Sequence, residues 1–279
     1  MILCCITLTL IPKENSTDFK ISVEKKGKKD NFDIDNYLIG VIAAEMPASF
    51  EEEALKAQAV AARSYAVSLL NRGLELTDDE LTQCFIDNDK MKEKWKENYE
   101  YYFNKIKNAV LSTEDLVMKS NNEVITAFYF AISNGYTQEA QVVFNESLDY
   151  IKSVNSSLDK NVKNYEMISE ISIDKFLDKL KLSDRNIEVD YILYENTGHV
   201  KELSINKKVF SGIEFRQNLG LRSTDFELII GNEYVSIKTQ GYGHGVGMSQ
   251  YGANELAKQG YKYDEILNYY YENIKIVKI

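Results

Sequence analysis

Along this chain the spacing of apolar positions changes from a helical period in the first third to short runs of strand character later. In DNYLIGVIAAEMP, Leu38, Val41, Ile42 and Glu45 fall at i, i+3, i+4 and i+7, which predicts a helix over 35–46 capped by Asp35. Pro47 closes it, because the residue before a proline avoids the α region. Ser49 and Glu52 have the spacing of a capping box, and EEALKAQAVAARSYAVSLLNRG reads as a long helix ending at Gly73. Residues 74–89 are acidic and irregular. A further helix is expected over 90–110, where Trp95, Tyr99, Tyr102, Phe103 and Ile106 recur at helical spacing as core packing.

Beyond residue 116 the pattern predicts strands. Residues 124–131 are β-branched and aromatic, Ser133-Asn134-Gly135 marks a turn, and 150–154 reads as a strand. A helix over 173–182 precedes strands over 187–194, 200–205, 226–230 and 234–239, with a short helix over 213–219. A glycine-rich loop, helices over 249–258 and 263–272 and a strand over 274–279 close the chain. The expected fold is α+β: a mixed β-sheet core flanked by helices, in a single large domain over 31–279 with a helical insertion. Residues 13–30 read as a Lys-rich linker and edge strand.

Residues 1–12 open with the apolar run MILCCITLTLI, eleven residues long. That is short of the ~20 that span a bilayer, and it lacks the basic flank and cleavage site of a signal peptide. The expectation is the remnant of a truncated membrane anchor; a first core strand is the alternative, since short apolar runs are ambiguous.

With 44% hydrophobic residues, 19 Tyr and 12 Phe, the 279-residue chain is no disordered protein. Against 33 Lys+Arg stand 43 Asp+Glu, and a net charge of −10 repels phosphate, so no nucleic-acid partner is expected. Cys4, Cys5 and Cys84 make no spaced framework for a disulfide or a thiolate metal site.

Two places carry candidate chemistry. Glu45 is a carboxylate on an apolar helix face and in the last turn, where desolvation and the negative end of the helix dipole both push its pKa upward. The start of the next helix pushes the other way. An acid kept protonated is what cleavage of a glycosidic bond needs, since the leaving oxygen is protonated as it departs. The bland alternative is a snorkelling surface residue. The second place is Gly241-Tyr242-Gly243-His244-Gly245-Val246-Gly247, which matches neither the dinucleotide nor the phosphate-loop spacing. Its glycines allow close backbone approach, and His244 is either a structural hydrogen bonder or a substrate contact. His199 and His244 are the only histidines, in no zinc-hydrolase pattern.

DNYLIGVIAAEMPASFEEEALKAQAVAARSYA over 35–66 resembles the stage II sporulation protein D family, whose domain is shared with amidase-modifier proteins. GYGHGVGMSQYGANELAKQGYKYDEIL resembles that family's closing motif, and TAFYFAISNGYTQEA, DYIKSV and FRQNLGLRSTDF lie between them in order. The resemblance covers about 30–275. It implies a sporulation lytic transglycosylase that cleaves the MurNAc–GlcNAc bond of glycan strands denuded of stem peptides by an amidase. The implied catalytic acid is the Glu of AEMPA, here Glu45. Attack of the sugar's own 6-hydroxyl on C1 leaves a 1,6-anhydro end and needs no second carboxylate.

Matched motif positions offer substrate contacts. Lys56 and Arg63, seven apart on the long helix, would place positive charge beside Glu45 for a lactyl carboxylate. Tyr150 and Lys152, two apart on an expected strand, offer a stacking ring and a cation, and His244 and Gln250 come from the closing motif. The alternative for the cations is a solvated face paired with the abundant acids. Some members hold zinc at a Cys-Gln motif; here the stretch is Thr82-Gln83-Cys84-Phe85, with Thr where the ligand would be, so no metal and no cofactor are expected. Where the family motif often turns polar after Tyr129, this chain has Phe130 and Ile132. The implied partners are denuded peptidoglycan strands, a sporulation amidase and a membrane scaffold protein. The implied place is the extracytoplasmic face of the septal or engulfing membrane, reached through the N-terminal anchor. The rival reading is a non-catalytic glycan-binding enhancer of an amidase.

Overall fold

The structure, a computed structural model, describes residues 20–25, 28–74 and 83–279. The expected anchor over 1–12 and the start of the linker lie outside the described residues, as does Thr82. The fold is α+β, with helices and several small sheets. The described residues divide into two compact units, the first made of those up to Phe128 with Leu256–Ile279, the second of Tyr129–Glu255.

In the first unit β1 (Lys20–Lys25) and β2 (Lys28–Asp33) pair antiparallel, so the expected edge strand is one arm of a hairpin. Helix α1 (Ile34–Glu45) starts earlier than its spacing suggested: Asp33, not Asp35, is the cap and accepts the Asn36 N–H at 2.9 Å. Asp35 falls within the first turn, and its carboxylate is engaged by Arg63. Every residue of α1 from Tyr37 to Ala43 is buried, which makes it a core helix rather than one with a single apolar face. Helix α2 (Glu52–Asn71) is equally enclosed, and Ala54, Ala57, Ala59, Ala61, Ala62 and Ala66 let its neighbours come close.

The expected Ser49–Glu52 capping box does not form. The cap is Glu51, which leaves Ser49 too far upstream, and Glu52 pairs with Lys56 instead. The helix expected over 90–110 is two, α3 (Asn88–Trp95) and α4 (Tyr99–Leu111), broken where Lys96 takes φ 48°. Trp95 packs across the break on Tyr99 and Tyr102. The hairpin of β3 (Leu116–Ser120) and β4 (Glu123–Val124) follows.

The second unit runs through β5 (Tyr129–Phe130), α5 (Ala140–Phe144), β6 (Glu166–Ser172), α6 (Ile173–Leu180), β7 (Val189–Tyr194), β8 (Val200–Ile205), β9 (Lys208–Ser211), α7 (Gly212–Leu219), β10 (Phe226–Ile230) and β11 (Tyr234–Gln240). Then come β12 (Met248–Ser249) and α8 (Gln250–Lys258). Two antiparallel sheets, β10-β11-β6 and β7-β8-β9, bury one face each around Phe176, Phe210, Phe215 and Phe226. A short parallel pair, β5 with β12, makes a third. The strand expected over 150–154 is absent: Tyr150 lies in a turn, and the following extended segment is held by Thr137 rather than by a ladder.

The chain ends in the first unit with α9 (Tyr263–Tyr270), packed on α2, and β13 (Lys275–Lys278), antiparallel to β3. Among the described residues no helix is long and apolar enough to cross a membrane.

Candidate active site

Glu45 is the last residue of α1 and is half-buried. Its Oε1 accepts the backbone N–H of Cys84 at 2.8 Å, a contact between residues 39 apart in sequence. Residues 83–86 form a strap across α1. The Ile86 N–H donates to Gly40 O at 3.2 Å, the Phe85 ring stacks on Tyr37 at 5.7 Å, and the Gln83 side chain donates to Ala62 O of α2 and accepts from the Tyr37 hydroxyl. The strap lies this close because residue 40 has no side chain: a Cβ there would stand 2.2 Å from Phe85 and 2.8 Å from Ile86 O. The glycine in the middle of a helical run was the one sequence signal of this contact. Tyr65 of α2 is buried, and its phenol is pushed up chiefly by desolvation; Arg72 opposes this and the negative charge of Glu45 adds to it.

The two cations expected beside Glu45 have other engagements. Lys56 forms ion pairs with Glu52 at 2.8 Å and Glu53 at 3.0 Å, and its pKa is raised foremost by Glu52. Arg63 is 1% exposed, so it is a clamp inside the unit rather than a cation open to substrate. It pairs with Asp35 at 2.9 Å and donates to the Val110 carbonyl in the last turn of α4 and to the Thr113 and Leu116 carbonyls that follow it. Lys94 donates to Ala43 O at 2.7 Å, a cation at the C-terminal end of α1, and desolvation lowers its pKa.

In the second unit the glycine-rich loop turns His244 inward. Nδ1 accepts the Val246 N–H at 3.1 Å, so Nε2 carries the proton and donates to Tyr129 O at 3.1 Å. The ring lies against Phe130 and Phe144, and desolvation, with the charge of Arg216 in the same direction, pushes its pKa down to about 4. His244 is thus a neutral pin that ties the loop to β5. His199 is a second neutral imidazole, pushed down to about 4 by desolvation. Beneath the loop Asp159 is fully buried, accepts from the Ser249 hydroxyl at 2.7 Å and from Ser156, and desolvation pushes it up to about 7.

Gln250, 3% exposed at the start of α8, has a buried Nε2 with no hydrogen-bond partner among the described residues. Tyr150 and Lys152 are half-buried on either side of the buried Ile151, and the Lys152 carbonyl accepts from Thr137. Phe130 and Ile132, where the motif often turns polar, are buried. Among the described residues no three His, Cys, Asp or Glu side chains gather as a metal cluster.

The fold and this site define an α+β protein whose most specific local feature is a carboxylate strapped at the end of a buried helix. A family model described as stage II sporulation protein matches residues 23–119, which contain Glu45, Gly40 and the strap. The chain is 39% identical over 257 residues to the stage II sporulation protein D of Bacillus subtilis (strain 168), covering 88% of this chain and 75% of that one. It is 36% identical to the protein of the same name from Bacillus amyloliquefaciens, over 95% of this chain and 80% of that one. The chain belongs to the stage II sporulation protein D family, a family of sporulation proteins. It is also 30% identical to the amidase enhancer of Bacillus subtilis (strain 168), over 84% of this chain and 39% of that protein.

Proposed function

We propose that this protein is a peptidoglycan lytic transglycosylase that cleaves MurNAc–GlcNAc bonds of denuded glycan strands during engulfment, with Glu45 as general acid and then base. The observation that carries this reading is the half-buried Glu45 carboxylate held through Oε1 by the Cys84 amide. A proton donor must be aimed, and an amide on one oxygen restricts how the carboxyl group can turn. In the reaction Glu45 protonates the glycosidic oxygen as the C1–O bond breaks. The 6-hydroxyl of the same muramic acid then bonds to C1 and returns its proton to the carboxylate, so the enzyme ends as it began. The Cys84 N–H stabilises the carboxylate formed midway.

Tyr150 and Lys152 are proposed glycan contacts, and Lys56 a weaker one, since its charge is already matched by two carboxylates; Gln250 is as enclosed as Arg63 and would need its pocket to open before it could touch a glycan. The family supports a place in the sporulating cell. An amidase and a membrane scaffold as partners, and an N-terminal anchor at the extracytoplasmic face, are part of the same proposal. A second reading, a non-catalytic glycan-binding enhancer of an amidase, is favoured by the amidase enhancer among the relatives.

Glu45→Gln separates the two. Gln keeps an acceptor for the Cys84 amide, so the variant is expected to melt within a few degrees of the parent. On amidase-treated glycan strands the parent is expected to yield anhydro-muramic ends by mass spectrometry, and the variant ~10²–10⁴-fold less. No anhydro product from the parent, or undiminished product from the variant, overturns the transglycosylase.

A further inference from the structure

Once His244 is turned inward, the side chain that the glycine-rich loop presents to solvent is Tyr242, 49% exposed. Its main chain is pinned: the Tyr242 N–H donates to Ile132 O at 2.7 Å and the Ile132 N–H returns the bond at 2.9 Å. The flanking residues Gly241 and Gly243 take φ of 78° and 121°. A Cβ at the first would stand 2.8 Å from Ile132 O, and at the second 2.7 Å from the Phe130 Cβ. Both neighbours are therefore glycine so that a rigid turn can close on 130–132 and hold one aromatic ring outward. Half of the side chain is left to solvent, so burial alone does not account for an aromatic residue there.

Arg222 lies over the same ring, its Cζ 4.6 Å from the centroid. One Nη donates to Asn164 O at 3.1 Å, and the Arg222 carbonyl accepts the Gly243 N–H at 2.9 Å, so ring and guanidinium share one support. Arg222 is half-buried and, among the described residues, is in no ion pair. In a chain with ten more acids than bases, a partly desolvated guanidinium without a carboxylate is out of pattern.

Resting on the glycan reading above, we propose that Tyr242 and Arg222 form a binding subsite for a sugar ring that bears a carboxylate. The occupant is a muramic acid residue whose lactyl carboxylate is free. The apolar C–H face of the pyranose packs on the Tyr242 ring, and the guanidinium fork takes the carboxylate. In a peptide-bearing strand the lactyl group is an amide without charge, so this pair reads whether the stem peptide has been removed.

The test uses the full chain carrying Glu45→Gln, so that binding is measured without turnover, with three probes: denuded strands, peptide-bearing strands and chitohexaose, which has no carboxylate. Denuded strands are expected to bind tightest. Adding Tyr242→Leu, which leaves the main-chain bonds in place, is expected to weaken all three by about three- to tenfold. Adding Arg222→Met is expected to weaken denuded strands alone, by about tenfold, and erase the preference. Denuded-strand affinity within twofold of the parent in both variants overturns the subsite, as does an equal loss on all three probes in Arg222→Met. Because binding is read separately from anhydro product, failure of the subsite and failure of the transglycosylase give different results.

Discussion

The region around Glu45 in the first unit and the core of the second unit pack differently. Around Glu45 the first unit brings backbones together: α1 and α2 meet through alanines, and Gly40 admits a strap that a single methyl group would push off. In the second unit a cluster of aromatic rings lies between the sheets and the short helices. Phe215 stacks on Phe226 at 5.0 Å and meets Phe210 and Phe176 edge-on. Small residues set the geometry of main-chain groups; large ones supply buried area. Perturbations of similar size should therefore damage different things in the two units.

The largest expected effect breaks the aromatic cluster. Phe215→Ala, at a ring with no exposure, should cost about 3–5 kcal/mol in urea or guanidinium unfolding, because the cavity cannot collapse between sheet and helix. A loss under ~1 kcal/mol would mean that the cluster is not what holds this unit.

Gly40→Ala should cost less, about 1–3 kcal/mol by overpacking, yet it should act on chemistry. As the strap moves, the Cys84 amide leaves Glu45, so kcat on denuded strands should fall with KM little changed. Phe85→Leu in the same chain should recover part of that loss by making room. If Gly40→Ala lowers stability but leaves kcat intact, the strap does not position Glu45, and the contrast between the units shrinks to one of packing.

Per pH unit, the smallest effect is a pH slope in the second unit. His199 and His244, held near 4 when folded against an ordinary 6.5, leave the unfolded chain binding more protons between those values, so they lower stability as pH falls from 6.5 to 4. Asp159, held up to about 7 against 3.8, does the reverse: its folded form binds the proton more tightly, so it adds stability as pH falls from 7 toward 4. Asp225, also raised mainly by desolvation, acts in that second direction. Asp159→Asn removes one opposing term. Its stability should fall with acidification more steeply than the parent's, by up to about 1.4 kcal/mol per pH unit over that window. Parallel curves would show that Asp159 does not titrate there.

What the sequence alone determined is local. The long helix α2, the strands β8 and β10 and the glycine-rich turn follow from periodicity and turn residues within a few positions, and the motif around Glu45 marks it as the candidate acid. Partners far away in the chain were decided only by the tertiary structure. Asp33 displaced Asp35 as the cap and freed it for Arg63, 28 residues on; the carboxylate of Glu45 met an amide 39 residues away; His244 turned inward to a carbonyl 115 residues back. Spacing along a helix says which face a side chain leaves from. What it meets depends on which buried donors and acceptors remain to be satisfied once the chain has closed, and, the glycine at 40 aside, the partners of these bonds leave no trace in local pattern.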